Sequence, residues 1–401
     1  MALGGALAGA LVVSACGSTG VTTTGPVAPP PIAGPVTAPF TPPPILGREG
    51  ITPPFMAGRQ IVRIGLLLPF ATRRDDAQAI YQAAELAVFD FGDQATLLIP
   101  RESGATAQEA AANTRLLLRD GADVILGPLQ REAVMGAAQA ARERQVPVIG
   151  FSSDRTIAGD GVYILSLPLE EDVRRVVDYT MSKGVRSFAL LTAEGDYGRR
   201  VETALRAEVG ARGGSVAFAQ FYQRGDREAA AAARTLAQQM RGQSVQAILI
   251  AENGSPLRAT GPALLIGGVS LDRVQLLGTS AWASGDAQRE PTLSRGWYAA
   301  PDPAVRADFE QRFRAAYGGR APSRVASLGY DGVMAAVQAA QNMRTDAVSR
   351  QALERAEGFA GADGVFRFRH DGSIERGLAI LEVRQQGAAA IDPAPKTFRT
   401  N

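Results

Sequence analysis

The chain has one cysteine, Cys16, one histidine, His370, and two lysines, Lys183 and Lys396, in 401 residues. A single thiol excludes an intrachain disulfide, and one thiol with one imidazole excludes the Cys/His sets that hold structural or catalytic zinc. A basic surplus is also missing: 42 Lys+Arg face 40 Asp+Glu, so the electrostatic footprint of a nucleic-acid binder is absent. No G-x-x-x-x-G-K-[ST] phosphate loop occurs. Beyond Cys16, no segment reaches membrane-spanning length without a charge or a breaker. Neither a metal nor a cofactor is expected.

What is present is enough apolar material, 46% of residues, for a substantial core spread over two or three domains. From residue 60, short apolar runs alternate with amphipathic segments. Strands are expected at 61–69, 95–99, 123–128 and 146–151, separated by helices at 76–89, 107–119 and 131–144. After a pause at 159–168 the pattern restarts, with strands at 186–191, 215–221, 247–251 and 275–278 and helices at 199–212 and 228–241. This alternation means βαβ units and parallel sheets covered on both faces. Two cycles of similar length point to two similar lobes. Further helices are expected at 308–317 and 328–343. Gly364–Phe368, a turn at His370-Asp371-Gly372-Ser373 and Leu378–Val383 read as an antiparallel hairpin.

In such sheets ligands sit beyond the carboxyl ends of the strands. The residues that follow each strand there include Phe70, Gln130, Arg131, Ser152, Ser153, Tyr197, Asn253 and Trp282, the candidate ligand-binding set. An enzyme reading fails on its parts. Gly150-Phe151-Ser152-Ser153-Asp154 has Asp where a G-x-S-x-G elbow needs its second Gly. The one histidine lies in a turn, a poor place for a base that must reach a nucleophile. No catalytic residue is assigned.

Several of these features together resemble the type I periplasmic-binding-protein fold of the leucine/isoleucine/valine-binding family. They are the Gly127-Pro128 turn, Val146-Pro147-Val148-Ile149 followed by Ser152-Ser153, Asp196-Tyr197-Gly198, Tyr330-Asp331 and the closing hairpin. The resemblance covers residues 60–390 and implies an α/β architecture of two lobes, each a parallel sheet flanked by helices. Lobe I is then expected at 60–167 and 285–346, lobe II at 168–284 and 347–392, and a tail at 393–401. Ser152 and Ser153 match a hydroxyl position that meets the ligand in amino-acid-binding relatives. Tyr197 matches an aromatic that covers it. Gln130 and Arg131 depart from the pattern, standing where those relatives carry a small hydroxyl residue.

The first sixteen residues resemble a bacterial lipobox, with an apolar stretch from Leu3 to Val13, small residues at Ser14 and Ala15, and then Cys16. The resemblance implies a signal peptide at 1–15 and a lipidated Cys16 on the periplasmic face of the outer membrane, although no Lys or Arg precedes it. Residues 17–59 are dominated by Gly, Pro, Ala, Thr and Val, a composition that favours an extended tether rather than a fold. A lipobox, a tether and the loops at 126–129 and 150–155 together look most like the penicillin-binding-protein activator lipoproteins. That likeness implies regulation of a peptidoglycan synthase by protein contact, with the lipid as the sole membrane link. The alternative is the substrate-binding component of an ABC importer for an amino acid or amide.

Overall fold

The computed structural model describes residues 50–92, 95–343, 348–385 and 387–398. Cys16, residues 17–49 and the end of the tail lie outside them. Within 50–59 the expected tether is already part of the fold. Ile51 N–H donates to the Asp120 carbonyl (2.9 Å), Arg63 Nε donates to the Ile51 carbonyl (2.9 Å), and Met56 is buried.

The first sheet comprises β1 (Val62–Leu68), β2 (Thr96–Glu102), β3 (Val124–Leu126), β4 (Val148–Gly150) and β5 (Val162–Ile164), all parallel in the order β2-β1-β3-β4-β5. Its connecting helices are α1 (Arg74–Phe91), α2 (Ala107–Arg119) and α3 (Arg131–Arg142). Helix α2 starts at Thr106, which accepts from Glu109 N–H while the Glu109 carboxylate reaches back, a reciprocal capping box. Gly127 closes the turn after β3 at φ 85°, where a Cβ would lie 2.2 Å from the Leu67 carbonyl oxygen. Only glycine fits there.

The second lobe opens with α4 (Leu169–Ser182). Next come β6 (Ser187–Ala193), α5 (Asp196–Ala211), β7 (Ser215–Tyr222), α6 (Asp226–Gln239), β8 (Ala247–Ala251), α7 (Gly254–Ile266), β9 (Gln275–Gly278) and β10 (Trp297–Ala300). The chain then returns to the first lobe for α8 (Pro303–Ala316), α9 (Ala326–Met343), the short α10 (Arg350–Leu353) and an antiparallel sheet of β11 (Phe359–Gly361), β12 (Gly364–Phe368) and β13 (Ile374–Arg376). Finally β14 (Ala379–Arg384) and β15 (Gly387–Asp392) complete a seven-stranded sheet ordered β15-β14-β10-β9-β8-β6-β7. Each main sheet is buried on both faces: residues of α1 and α9 share one core with β1 and β3, and residues of α2 and α3 share another with the opposite face. The second sheet is sandwiched the same way, between α4 with α5 and α6 with α7.

Three details differ from the sequence expectation. The hairpin partner of β12 is β13, with register Phe366↔Arg376 and Phe368↔Ile374, whereas Leu378–Val383 runs into β14 of the other sheet. The turn closes tightly because Asp371 Oδ1 accepts from Ser373 N–H at 2.9 Å, so the next three residues pair at once. Residues 285–300 belong with the second lobe, since Ala287 and Leu293 lie in its core and β10 pairs with β9. Residues 348–376 belong with the first, where Leu353, Phe359, Phe366 and Phe368 join the core of α1 and α9. The chain therefore passes between the lobes at 165–168, 301–302 and 377–378.

One buried ion pair sits where the first and third of these passages meet. Arg376, 1% exposed in its side chain, faces Asp331, 0% exposed, at 3.3 Å. Its Nε donates to the Ser166 carbonyl in the first passage (2.7 Å), and Asp331 Oδ1 accepts from Ala362 N–H (2.7 Å). Truncating one partner leaves a buried charge unmatched, which costs about 3–5 kcal/mol. Arg376→Met is expected to lose that much in urea unfolding, and Arg376→Met with Asp331→Leu clearly less. Equal loss in both would show that the charge pair is not the cause.

Candidate functional site

The carboxyl ends of the second sheet's strands meet at one edge. Tyr197 comes from the first turn of α5, Arg224 follows β7, Glu252 and Asn253 follow β8, and Ser280 follows β9. These residues surround a cavity of about 240 Å³, completed by Asp172 in the first turn of α4 and, from the first lobe, by Arg324 just before α9. Leu167, Leu169 and Ala281 supply apolar wall.

The charges in the cavity are unequally satisfied. Glu252 is 1% exposed and fully engaged: Oε2 accepts from the Tyr222 hydroxyl (2.9 Å), and Oε1 pairs with Arg224 (3.1 Å). Asp172 is buried, and its Oδ2 accepts from Ser280 N–H (3.0 Å). Burial pushes its carboxyl up to about 7. Backbone and hydroxyl hydrogen bonds from Ser280 and the charge of Arg324 pull it back only in part. The Arg324 guanidinium donates one hydrogen bond, from Nη2 to Ser280 Oγ at 2.8 Å. Its remaining N–H groups have no partner among the described residues. Tyr197 is 40% exposed, yet its hydroxyl reaches inward to the buried Thr279 Oγ1 (2.9 Å), and burial raises its pKa. Below about pH 7, where Asp172 is protonated, the uncompensated charge of the cavity is therefore positive, with neutral hydroxyl and amide groups around it.

Of the expected ligand residues, Tyr197 and Asn253 line this cavity. The others lie elsewhere. Trp282 is fully buried in the second-lobe core, its Nε1 donating to the Ile250 carbonyl (3.0 Å) and its ring packed where a Gly278 Cβ would be, at 2.2 Å. It fills the core under the strand end instead of facing a ligand. Phe70 packs edge-on against Tyr81. Arg131, the first residue of α3, pairs with Asp154 in the segment after β4 (2.6 Å) and borders a different groove along α3. Buried Ser152 accepts from Asp154 N–H (3.1 Å), and Ser153 offers its carbonyl to Arg200 (3.4 Å). Gln130 precedes α3 with its Oε1 buried and without a partner among the described residues. His370 Nδ1 contacts Glu354 (2.5 Å) at the surface, away from Ser152 in its bonding.

Sequence reasoning missed Asp172, Arg224 and Arg324. Glu252 and Ser280 fall in the strand-end segments that the sequence marks, beside Asn253 and Trp282, but outside the candidate set, although an acid directly after an apolar strand is a usable signal. Asp172 sits on α4, whose apolar residues Leu169, Val173, Val176, Val177 and Met181 recur at helical spacing. Arg324 reaches the site from the other lobe, and no local pattern marks it.

The periplasmic binding protein family matches residues 61–388, and the chain belongs to it. Among solved structures, it is similar to a protein from Rhodospirillum rubrum described as a branched-chain amino acid ABC transporter (20% identity, 82% of this chain and 100% of that one, TM-score 0.72). It is also similar to an ABC transporter substrate-binding protein from Desulfitobacterium hafniense in complex with Leu (17%, 82% and 99%, 0.59). A third is a solute-binding protein of an ABC transporter from R. palustris in complex with benzoate (18%, 84% and 97%, 0.56). At these identities the likeness is one of fold. No match was found among curated protein sequences.

The raised carboxyl of Asp172 has a signed consequence. Its folded value of about 7 exceeds the ordinary 3.8, so its favourable contribution is complete below the unfolded value and is lost as pH rises through about 7. The effect is on the order of a few kcal/mol. Asp172→Asn keeps an acceptor for Ser280 N–H without a charge to desolvate. The melting temperature of this variant, relative to the unmodified chain, should rise between about pH 5 and about pH 8. A pH-independent difference would contradict the assignment.

Proposed function

We propose that this member of the periplasmic binding protein family captures a small carboxylate-bearing solute, such as an amino acid or an aromatic acid, for an ABC importer. The observation that carries the reading is the cavity at the strand ends, where Arg324 has unspent donors and the nearest acid, Asp172, is held by burial well above the ordinary carboxylate range. A guanidinium fork matches a carboxylate bidentately, and Tyr197 and Asn253 supply neutral hydrogen bonds beside it. Glu252, already engaged by Tyr222 and Arg224, holds Arg224 in place. The neighbours bound to Leu and benzoate are in keeping with a carboxylate ligand. An extracytoplasmic location follows from the family.

A second reading is favoured by one observation: Arg131, at the start of α3, is already spent on Asp154 in the segment after β4. In that reading the protein is a lipid-anchored, outer-membrane regulator of a peptidoglycan synthase, of the penicillin-binding-protein activator kind, and acts by contact.

Titration calorimetry of the full chain against amino acids and aromatic acids separates the two. Capture predicts that one carboxylate binds and raises the melting temperature, that its amide isostere does not, and that Arg324→Ala and Tyr197→Ala each weaken binding by about tenfold or more. If no carboxylate binds while a penicillin-binding protein co-purifies, the regulator reading replaces it. The anchor is tested on its own: Cys16→Ser should release the protein from the outer-membrane fraction, and an unmodified chain found free in the soluble fraction would refute lipidation.

A further inference from the structure

We propose a second ligand site at the seam between the lobes, a groove of about 360 Å³ that takes a phosphate group on a short carbon skeleton, of the glycerol phosphate type. The groove shares no lining residue with the solute cavity and stands independently of it. Arg155, in the turn between β4 and β5, faces it from the first lobe, and Arg199 and Arg200 of α5 face it from the second. Arg200 holds the walls together, pairing with Glu170 (2.8 Å) and donating to the Ser153 carbonyl (3.4 Å). Glu208 is taken up by Arg212 (2.5 Å).

That pairing leaves two guanidinium groups. Neither Arg155 nor Arg199 makes a side-chain hydrogen bond or contact ion pair among the described residues. Asp371 is the acid that senses Arg155, at longer range. Two like charges on opposite lobes bordering one groove call for an anion between them, and guanidinium forks bind phosphate oxygens well. Ala204 and Ala207 give the floor an apolar character that accommodates a short carbon skeleton. An anion on a short carbon skeleton describes an organic phosphate such as glycerol phosphate, a group that occurs free in solution and in the headgroup of phosphatidylglycerol.

The test uses the full chain at low ionic strength, with sn-glycerol 3-phosphate and inorganic phosphate in calorimetry, and phosphatidylglycerol against phosphatidylcholine vesicles in co-sedimentation. Binding of glycerol phosphate, or of phosphatidylglycerol vesicles alone, supports the site and identifies the source. In either case Arg155→Gln and Arg199→Gln should each weaken it by about tenfold, with unchanged melting temperatures. Inorganic phosphate, which lacks the carbon skeleton, should bind more weakly than glycerol phosphate. Binding of none of the probes, or binding indifferent to both arginine variants, overturns the proposal. Arg324→Ala should leave this binding intact, so failure here is distinguishable from failure of the solute reading.

Discussion

The geometry of both lobes depends on a guanidinium with no access to water. Arg376 ends β13, directly before the third passage between lobes, and binds the Ser166 carbonyl of the first passage and the Asp331 carboxylate of α9. It also lies 5.3 Å from the Phe366 ring centroid. A charge so buried is tolerated only when its partners are fixed. By holding them, it fixes the antiparallel sheet on the first lobe and aligns α4, which starts just beyond Ser166. Asp172, one turn into α4, inherits its place in the cavity from that arrangement.

Other contacts across the seam are charge-assisted and more exposed. Arg369 reaches Glu171 (3.3 Å), Arg200 reaches Ser153, and Arg324 reaches Ser280. They differ from the Arg376 clamp in energetic weight. Their arginines are partly open to solvent, where such contacts contribute little to stability, and Glu171 keeps a second partner in Arg174 (2.6 Å) if Arg369 leaves. The seam thus has a rigid pivot with releasable contacts around it. A binding protein needs that combination: a ligand can shift lobe positions only through contacts whose loss is inexpensive.

The α/β class and the two-lobed architecture were legible because they rest on strong local signals: apolar strand runs, helical spacing, and Gly127 at a turn only glycine can make. The lobe boundaries were not. Strand β10 is four residues, Trp297–Ala300, and its sheet is decided by pairing with β9 and β14, not by its own composition. Helix α7 contains Pro262 and carries little amphipathic contrast, so it went unread. At the site, Tyr197 and Asn253 were legible as strand-end residues. Trp282 has the same sequence position but turns inward, because Gly278 leaves a space its ring fills. Strand-end position identifies the loop; packing decides which of its side chains faces the ligand.

Residue choice follows the same logic. All but two of the 42 basic residues are arginine, and at the points that matter the guanidinium serves several acceptors at once. Arg63 donates to the Ile51 carbonyl and the Thr52 hydroxyl (2.9 and 3.0 Å), tying the segment before β1 to the sheet. Arg175 donates to the Leu378 carbonyl and the Asp392 carboxylate (2.8 and 2.6 Å), holding α4 to the last two strands. A lysine ammonium is a compact charge on a flexible stem and cannot meet a carbonyl and a carboxylate at the fixed angles of a planar fork. Arg376 depends on this most. A lysine there could reach Ser166 or Asp331 but would leave the other unmet in a dry interior, so the meeting point of the passages requires the fork as well as the charge.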